Sequence, residues 1–262
     1  MKRRVPGSFE EDVADVIYGK NPVLSLLEGD GGCLKLYMSK SKGRSDPFRD
    51  KIVGLCQKKG IPFQELDPEA LDRIAGSSAH QGFVARVSPV KMLSMEDLIS
   101  MVMSSDPSKP LNILILDHVE DPHNLGAMIR TAEAVGMFAV LTPSRRGALP
   151  TGTVVKCSAG AALRMPIVMI GNVSQAIRDI KDRLGLWVIG IEANGERSIF
   201  ESPMPRRMAL VVGSEGKGLG RVVATSCDEV LRIPMIGETG SLNVSVAAAL
   251  AMYEWFRGNF TS

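Results

Sequence analysis

The sequence predicts an α/β protein in two blocks, a small one followed by a larger one, each a sheet covered by helices. Three observations point to it. Candidate strands alternate with candidate helices along nearly the whole chain, the pattern of a sheet with helices on its faces. The segment LNILILD, starting at Leu111, is a continuous apolar run, as expected of a strand buried on both sides. Between the blocks, residues 104–110 are polar and include Pro107 and Pro110, which suits a boundary. The expected organisation is residues 1–90 as a first domain, 91–110 as a linker opening on a short helix, and 111–262 as a second domain.

In the first block NPVLSLLEG reads as a short helix and CLKLYMS as a strand. PFRDKIVGLCQKKG reads as a helix stopped at Gly60, PFQEL as a strand, and PEALDRIAG as a helix with Pro68 near its start. GFVARVSPV is a further strand, ended by Pro89. In the second block the helix after LNILILD is expected to be capped by Asn124 and stopped at Gly136. Leu125, Met128, Ile129, Ala132 and Val135 form its apolar stripe. FAVLTP, PIVMI, LWVIGIE, MALVVG and EVLRIP are further strands, and VSQAIRDIKDRLG and NVSVAAALAMYEWFRG are helices.

Composition narrows the function classes. The chain has 262 residues, 45% of them hydrophobic, enough for a packed core. No apolar run approaches a membrane span, and the basic tip MKRRVPGSFEEDVADV has no apolar stretch behind it. A soluble, cytoplasmic protein is expected. Cys33, Cys56, Cys157 and Cys227 form no CxxC pair and there are three histidines, so neither a zinc site nor a disulfide framework is expected, and the cysteines read as buried free thiols. The net charge of +2 does not announce nucleic acid. A local cluster says more: Lys35, Lys40, Lys42, Arg44, Arg49, Lys51, Lys58 and Lys59 face only Asp46 and Asp50, either a phosphate-binding surface or an ordinary solvated face.

Three segments carry the chemistry. LDHVEDPHNLGAMIRTAEAVG (116–136) runs from a buried strand through a polar loop into a helix, the place where α/β proteins put ligands. Asn124 and Arg130 are its candidate polar groups, although a plain helix cap and a surface arginine are equally ordinary roles. LVVGSEGKGLG (210–220) ends a strand at Gly213 in a glycine-rich loop holding Glu215. Lys217 is followed by Gly218 rather than Ser or Thr, so the loop is not a nucleotide-triphosphate loop; it is a ligand loop of another kind or a tight turn. LRIPMIGETGSLNVSVAAALAMYEW (231–255) leads from Ile233 through Ser241, Leu242 and Asn243 into a helix rich in small residues.

In order, spacing and content these segments resemble the three motifs of the SpoU family of RNA ribose 2′-O-methyltransferases, within the SPOUT superfamily. DPHNLGAMIRTAEAVG is similar to the first motif, LVVGSEGKGLG to the second and IPMIGETGSLNVSVAAALAMYEW to the third; VVKCSAGAALRMPI between them also matches. The stretch from IYGKNPVLSLLE to HQGFVARV resembles the family's small substrate-binding domain, which is similar to ribosomal protein L30e. The likeness runs from about Val16 to Phe256 and is nearest to the subgroup acting on a guanosine of large-subunit rRNA. It implies a trefoil-knotted second domain, a homodimer, and S-adenosylmethionine as methyl donor. Asn124, Arg130, Glu215, Ser241 and Asn243 match the family's functional polar residues. Gly213, Ile233 and Leu242 match positions whose backbone holds the donor. Two departures are Pro150-Thr151-Gly152, where relatives often carry Asn and Ala, and the GETG before Ser241.

The chemistry implied is attack of a ribose 2′-hydroxyl on the donor's methyl. A guanidinium stays protonated in proteins, so Arg130 is expected to bind a phosphate and stabilise alkoxide charge, not to act as a base. The proton is expected to pass to that phosphate or to water, with no histidine or metal required. Asn124, Ser241 and Asn243 would position the ribose, Glu215 would orient Arg130 or the loop, and Lys35, Lys40, Lys42 and Arg44 would grip RNA. Ribosomal RNA is the expected substrate, with transfer RNA the alternative. The rivals are a catalytically silent RNA-binding assembly factor and a nucleotide-dependent enzyme; the intact NLGAMIR and SLNVS segments speak against the first and the missing GK[ST] against the second.

Overall fold

The computed structural model describes residues 16–28, 32–40, 46–87, 90–214 and 216–260. Lys42, Arg44, Pro89 and Glu215 lie outside the described residues.

The first sheet has four strands, β1 (Val16–Tyr18), β2 (Cys33–Ser39), β3 (Phe63–Leu66) and β4 (Phe83–Val87), in the order β1-β4-β2-β3. β2 and β3 are parallel and the other pairs antiparallel. Helices α1 (Lys20–Glu28) and α2 (Pro47–Lys59) bury Val23, Leu27, Ile52 and Cys56 against Leu36, Met38 and Phe83 on one face. On the other, α3 (Pro68–Ala75) sets Leu71 against Tyr37 and Val84. Local signals fix α2: the Asp46 carboxylate accepts the Phe48 N–H at 3.0 Å, Pro47 opens the helix, and Gly60 closes it at φ 67°.

The second sheet has eight strands: β5 (Met92–Leu93), β6 (Leu111–Leu116), β7 (Ala139–Pro143), β8 (Ile167–Ile170), β9 (Trp187–Ile191), β10 (Arg197–Ser198), β11 (Arg207–Val212) and β12 (Glu229–Arg232). Their order is β10-β12-β9-β11-β6-β7-β8-β5, and every pairing is parallel. The helices are α4 (Met95–Met103), α5 (Pro122–Ala134), α6 (Gly152–Cys157), α7 (Val173–Leu184), α8 (Arg221–Ser226) and α9 (Val244–Phe260), with a 3₁₀ turn at Ala161–Leu163. Ile113 and Ile115 of β6 face the α4/α7/α8 layer, and Leu114 and Leu116 face the α5/α9 layer. Burial on both faces explains the unbroken apolar run. From β11 the chain passes through α8 to β12, on the far side of β9, and α9 then returns to pack on α5 and β11.

Two expectations change. Asn124 does not cap α5: Asp121 does, its carboxylate accepting the His123 N–H at 2.9 Å with Pro122 in the first helical position. Asp before Pro is the better start signal, and it places Asn124 inside the first turn. The stretch 91–110 is not a bare connection. β5 pairs with β8, and α4 buries Leu98, Ile99 and Val102, with Arg183 of α7 bidentate to Glu96 at 2.6 and 2.8 Å. β1, β5, β10, α6 and α8 are absent from the sequence-based expectation; each is too short to show a period.

Candidate active site

The three segments meet beyond the carboxyl ends of β6, β9, β11 and β12, where open parallel sheets bind ligands. From the first, Asn124 is half-buried and its Oδ1 accepts a hydrogen bond from Asn243 Nδ2 at 3.1 Å, joining the first segment to the third. Arg130, further along α5, is exposed, and its guanidinium has no ion pair or hydrogen bond among the described residues.

In the second segment Ser214 and Gly218 exchange two backbone hydrogen bonds of 3.0 Å, which close the glycine-rich loop. Gly213 lies so near the far side of this loop that a Cβ on it would sit 2.2 Å from the carbonyl of Gly218. Gly218 itself has φ 64°, with Glu192 packed over it. In the third segment Ile233 is buried, Leu242 half-buried and Ser241 exposed. Asn243 caps α9: its Oδ1 accepts from the Ser245 N–H at 2.9 Å and the Ser245 hydroxyl at 2.6 Å, and its carbonyl accepts from Ala247 N–H at 3.0 Å.

Two cavities share this region. The first, about 470 Å³, is lined by Gly213, Ile233, Ser241 and Leu242 together with Ile191, Val212, Met235, Val244 and Ala247. Glu192, Ala193 and Asn194 also line it, and no sequence motif singles them out. The available signal is their place just past the strand LWVIGI, at the same sheet end as the other segments. The second cavity, about 480 Å³, holds Asn124, His118, Glu120, Asp121 and Arg146. Ser214, Lys217, Gly218 and Val244 line both, so the closed loop is a shared wall. Arg130 and Asn243 line neither.

The basic run of the first block is largely paired internally. Lys40 Nζ lies 3.0 Å from Asp67, Arg49 2.6 Å from Glu65, and Lys51 2.8 Å from Glu28. Lys35 Nζ donates to Gln64 Oε1 at 2.9 Å and sits 5.0 Å from the Tyr37 ring centre. Partial burial, and then the nearby Arg86, hold its ammonium below the usual lysine range. The cysteines are free, but only Cys33 and Cys56 are buried; Cys157 and Cys227 are partly exposed. Burial pushes Cys33 and Cys227 up to about 12 and Cys56 to about 11, which keeps these thiols unreactive. Among the described residues no group of three or more His, Cys, Asp or Glu gathers to hold a metal, and no helix is long and apolar enough to cross a membrane.

Residues 111–253 match the model of the SpoU rRNA methylase family, which covers the first two segments whole and all but the last two residues of the third. The chain belongs to the SpoU rRNA methylase family. Residues 16–93 of this SpoU protein match the RNA 2′-O ribose methyltransferase substrate-binding domain, which spans the first sheet. YacO of Bacillus subtilis, of the TrmH family of tRNA/rRNA methyltransferases, is 38% identical over 93% of this chain and 95% of its own. The 23S rRNA (guanosine-2′-O-)-methyltransferase RlmB of Vibrio cholerae is 36% identical over 93% of this chain and 96% of its own. Among solved structures, a TrmH-family protein of Porphyromonas gingivalis aligns with TM-score 0.53 at 26% identity, over 92% of this chain and 88% of that one. The SpoU methyltransferase AviRb of Streptomyces viridochromogenes, in complex with AdoMet, aligns with TM-score 0.57 at 20% identity over 94% and 91%, a likeness of fold.

Proposed function

We propose that this SpoU protein methylates a ribose 2′-hydroxyl of RNA, at a guanosine of 23S rRNA, with S-adenosylmethionine as donor. One observation carries the reading: two cavities share the Ser214–Gly218 loop as a wall, and a hydrogen bond from Asn243 to Asn124 links the motifs on either side. That is the arrangement needed to bring a donor and an acceptor together, which can supply much of the rate. The first cavity fits the donor. Its volume is that of a small-molecule site, its walls are mainly apolar, and Gly213, Ile233 and Leu242 all lie on it.

When bound, the donor supplies an electrophilic methyl. The chain's own residues then divide the remaining work. Asn124, oriented by Asn243, and Ser241 position the ribose at the shared wall. Arg130, free of any internal carboxylate among the described residues, holds a neighbouring phosphate and stabilises the alkoxide. Glu215 orients Arg130 on the strength of the family resemblance. Lys35, Lys40, Lys42 and Arg44 draw in RNA phosphates. The chain crosses from β11 past β9 to β12 before α9 comes back to pack on α5 and β11, an order of elements that supports a knotted topology. The protein acts in the cytoplasm as a homodimer through the exposed face of α9, without a metal.

The test is to incubate the protein with labelled donor and, separately, unmodified 23S rRNA and transfer RNA, then digest and map the label. Label on one guanosine ribose of 23S rRNA is the expected result. Label on transfer RNA alone moves the substrate, and donor binding with no transfer to either RNA leaves a silent assembly factor.

A further inference from the structure

The second cavity contains a histidine that the roles assigned above leave idle. β6 ends at Leu116, and the next residue, Asp117, is 1% exposed. Its N–H bonds the Val212 carbonyl at 2.9 Å, and its Oδ2 accepts the Gly220 N–H at 2.8 Å. Asp117 is therefore fixed to β11 and to the start of α8. Its other oxygen, Oδ1, lies 2.6 Å from His118 Nδ1. An ionised carboxylate can only accept, so in the neutral ring Nδ1 carries the proton and Nε2 keeps a lone pair. Nε2 has no hydrogen-bond partner among the described residues. The ring is 44% exposed and lines the cavity beside Asn124, Arg146 and Lys217.

The backbone adds a second, independent observation. His118 has φ 58°, in the left-handed region that side chains rarely adopt. Non-glycine residues held this way gather where their placement serves the site. Here the left-handed residue directly follows the strand, and its ring is held by the buried carboxylate of the preceding residue.

We propose that His118 accepts the proton of the ribose 2′-hydroxyl, with Asp117 as the positioning residue that fixes its tautomer. This rests on the methyl-transfer reading above. As the oxygen–methyl bond forms, the oxygen–hydrogen bond breaks and the proton goes to Nε2. The methyl–sulfur bond breaks with its electron pair left on sulfur, so the sulfonium becomes a neutral thioether. The resulting imidazolium faces the Asp117 carboxylate, which stabilises it, and gives up its proton to water at the exposed edge of the ring. Arg130 cannot take that proton, because a guanidinium stays protonated. Imidazoles suit the task because as a class they exchange protons near neutrality.

The test uses the full chain and unmodified 23S rRNA in single-turnover transfer from labelled donor. His118→Gly takes the left-handed backbone without strain, and His118→Asn tolerates it, so both variants keep the turn. Loss of a general base costs roughly 10²-fold or more in transfer rate, with donor affinity by calorimetry unchanged. Added imidazole should restore part of the rate to His118→Gly, whose missing ring leaves room, and not to His118→Asn. Nitrogen NMR of the parent protein should show the His118 ring protonated at Nδ1 and bare at Nε2. Transfer by His118→Gly close to the parent's rate, a loss that imidazole does not repair, or a ring protonated at Nε2 would each overturn the proposal. A parent chain that binds donor and transfers nothing to ribose defeats the methyl-transfer reading itself and takes this proposal with it, an outcome visible before any variant is made.

Discussion

Gly213 and Arg130 separate two kinds of functional residue. A side chain at Gly213 would meet not only a ligand but the backbone of Gly218 and Leu219, 2.2 to 2.4 Å from its Cβ. The residue is glycine because the loop folds back on it, and that same fold shapes the first cavity. Even Gly213→Ala should therefore displace the loop, and Gly213→Val more so. Overpacking of this kind costs roughly 1–3 kcal/mol, which if it falls on the bound state lowers donor affinity by roughly 5- to 150-fold. Calorimetry with S-adenosylmethionine checks this, and normal affinity in a folded variant would take Gly213 out of the site. Arg130 is the opposite case, exposed and without an ion pair or hydrogen bond among the described residues. Arg130→Ala should leave stability and donor binding alone and lower turnover by ~10²- to 10³-fold, the usual effect of removing a charge-stabilising group. Near-normal turnover at saturating RNA would sink that role. The sequence alone points to no histidine, because His118 looks like any polar loop residue. Its left-handed backbone and the buried Asp117 beside it appear only in three dimensions.

At the scale of elements, legibility follows length and burial. β2 and α2 are found at the expected residues because each carries its own period, cap or stop: CLKLYMS is buried along almost all its length, and α2 has Asp46, Pro47 and Gly60. α6 and α8, six residues each, have no room for a period. The cap of α5 lies three residues before Asn124 because Asn, Asp and Ser are all good caps, and only the geometry shows which one accepts a bond. The loop after β9 is silent in the sequence because Glu192, Ala193 and Asn194 carry no motif, although they line the first cavity. α9 shows what periodicity can say and where it stops. Val244, Ala248, Ala251, Met252 and Trp255 are buried within the chain, yet Val246, Leu250 and Tyr253 remain 39 to 53% exposed on another face. An apolar stripe left open on a helix suits a partner surface. If a second copy covers it, Leu250→Glu should shift the protein from dimer to monomer in sedimentation while leaving the helix content unchanged. A dimer that survives Leu250→Glu and Tyr253→Asp together would place the interface elsewhere.

For the molecule as a whole, two surfaces offer positive charge to RNA, one on the first block and one around the second cavity. The first block's basic run stands out in the sequence, but Lys40, Arg49 and Lys51 are each matched to a carboxylate within the fold; the Lys40 and Lys51 pairs are exposed and weak enough for a phosphate to compete, whereas Arg49 is mostly buried and also bonds the Ser39 carbonyl. Around the second cavity, Arg146 and Lys217 offer positive charge with no internal partner among the described residues. The two sources make different predictions. Each RNA phosphate that a variant no longer neutralises should lower the slope of log affinity against log salt by about one. Charge reversal at Lys40, Lys42 and Arg44 should weaken RNA binding, flatten that slope and spare donor affinity if the first block grips the RNA. Reversal at Lys42 and Arg44 alone, with the Lys40–Asp67 pair left in place, separates their share from that of Lys40. Interactions with phosphate position the RNA without reading its bases, so the choice of nucleotide should survive the variant even as binding falls. RNA affinity measured across salt for the triple and double variants, with donor affinity as control, decides the matter: an unaltered slope in both would assign the grip to the second domain and leave the first block's charges as solvated ion pairs.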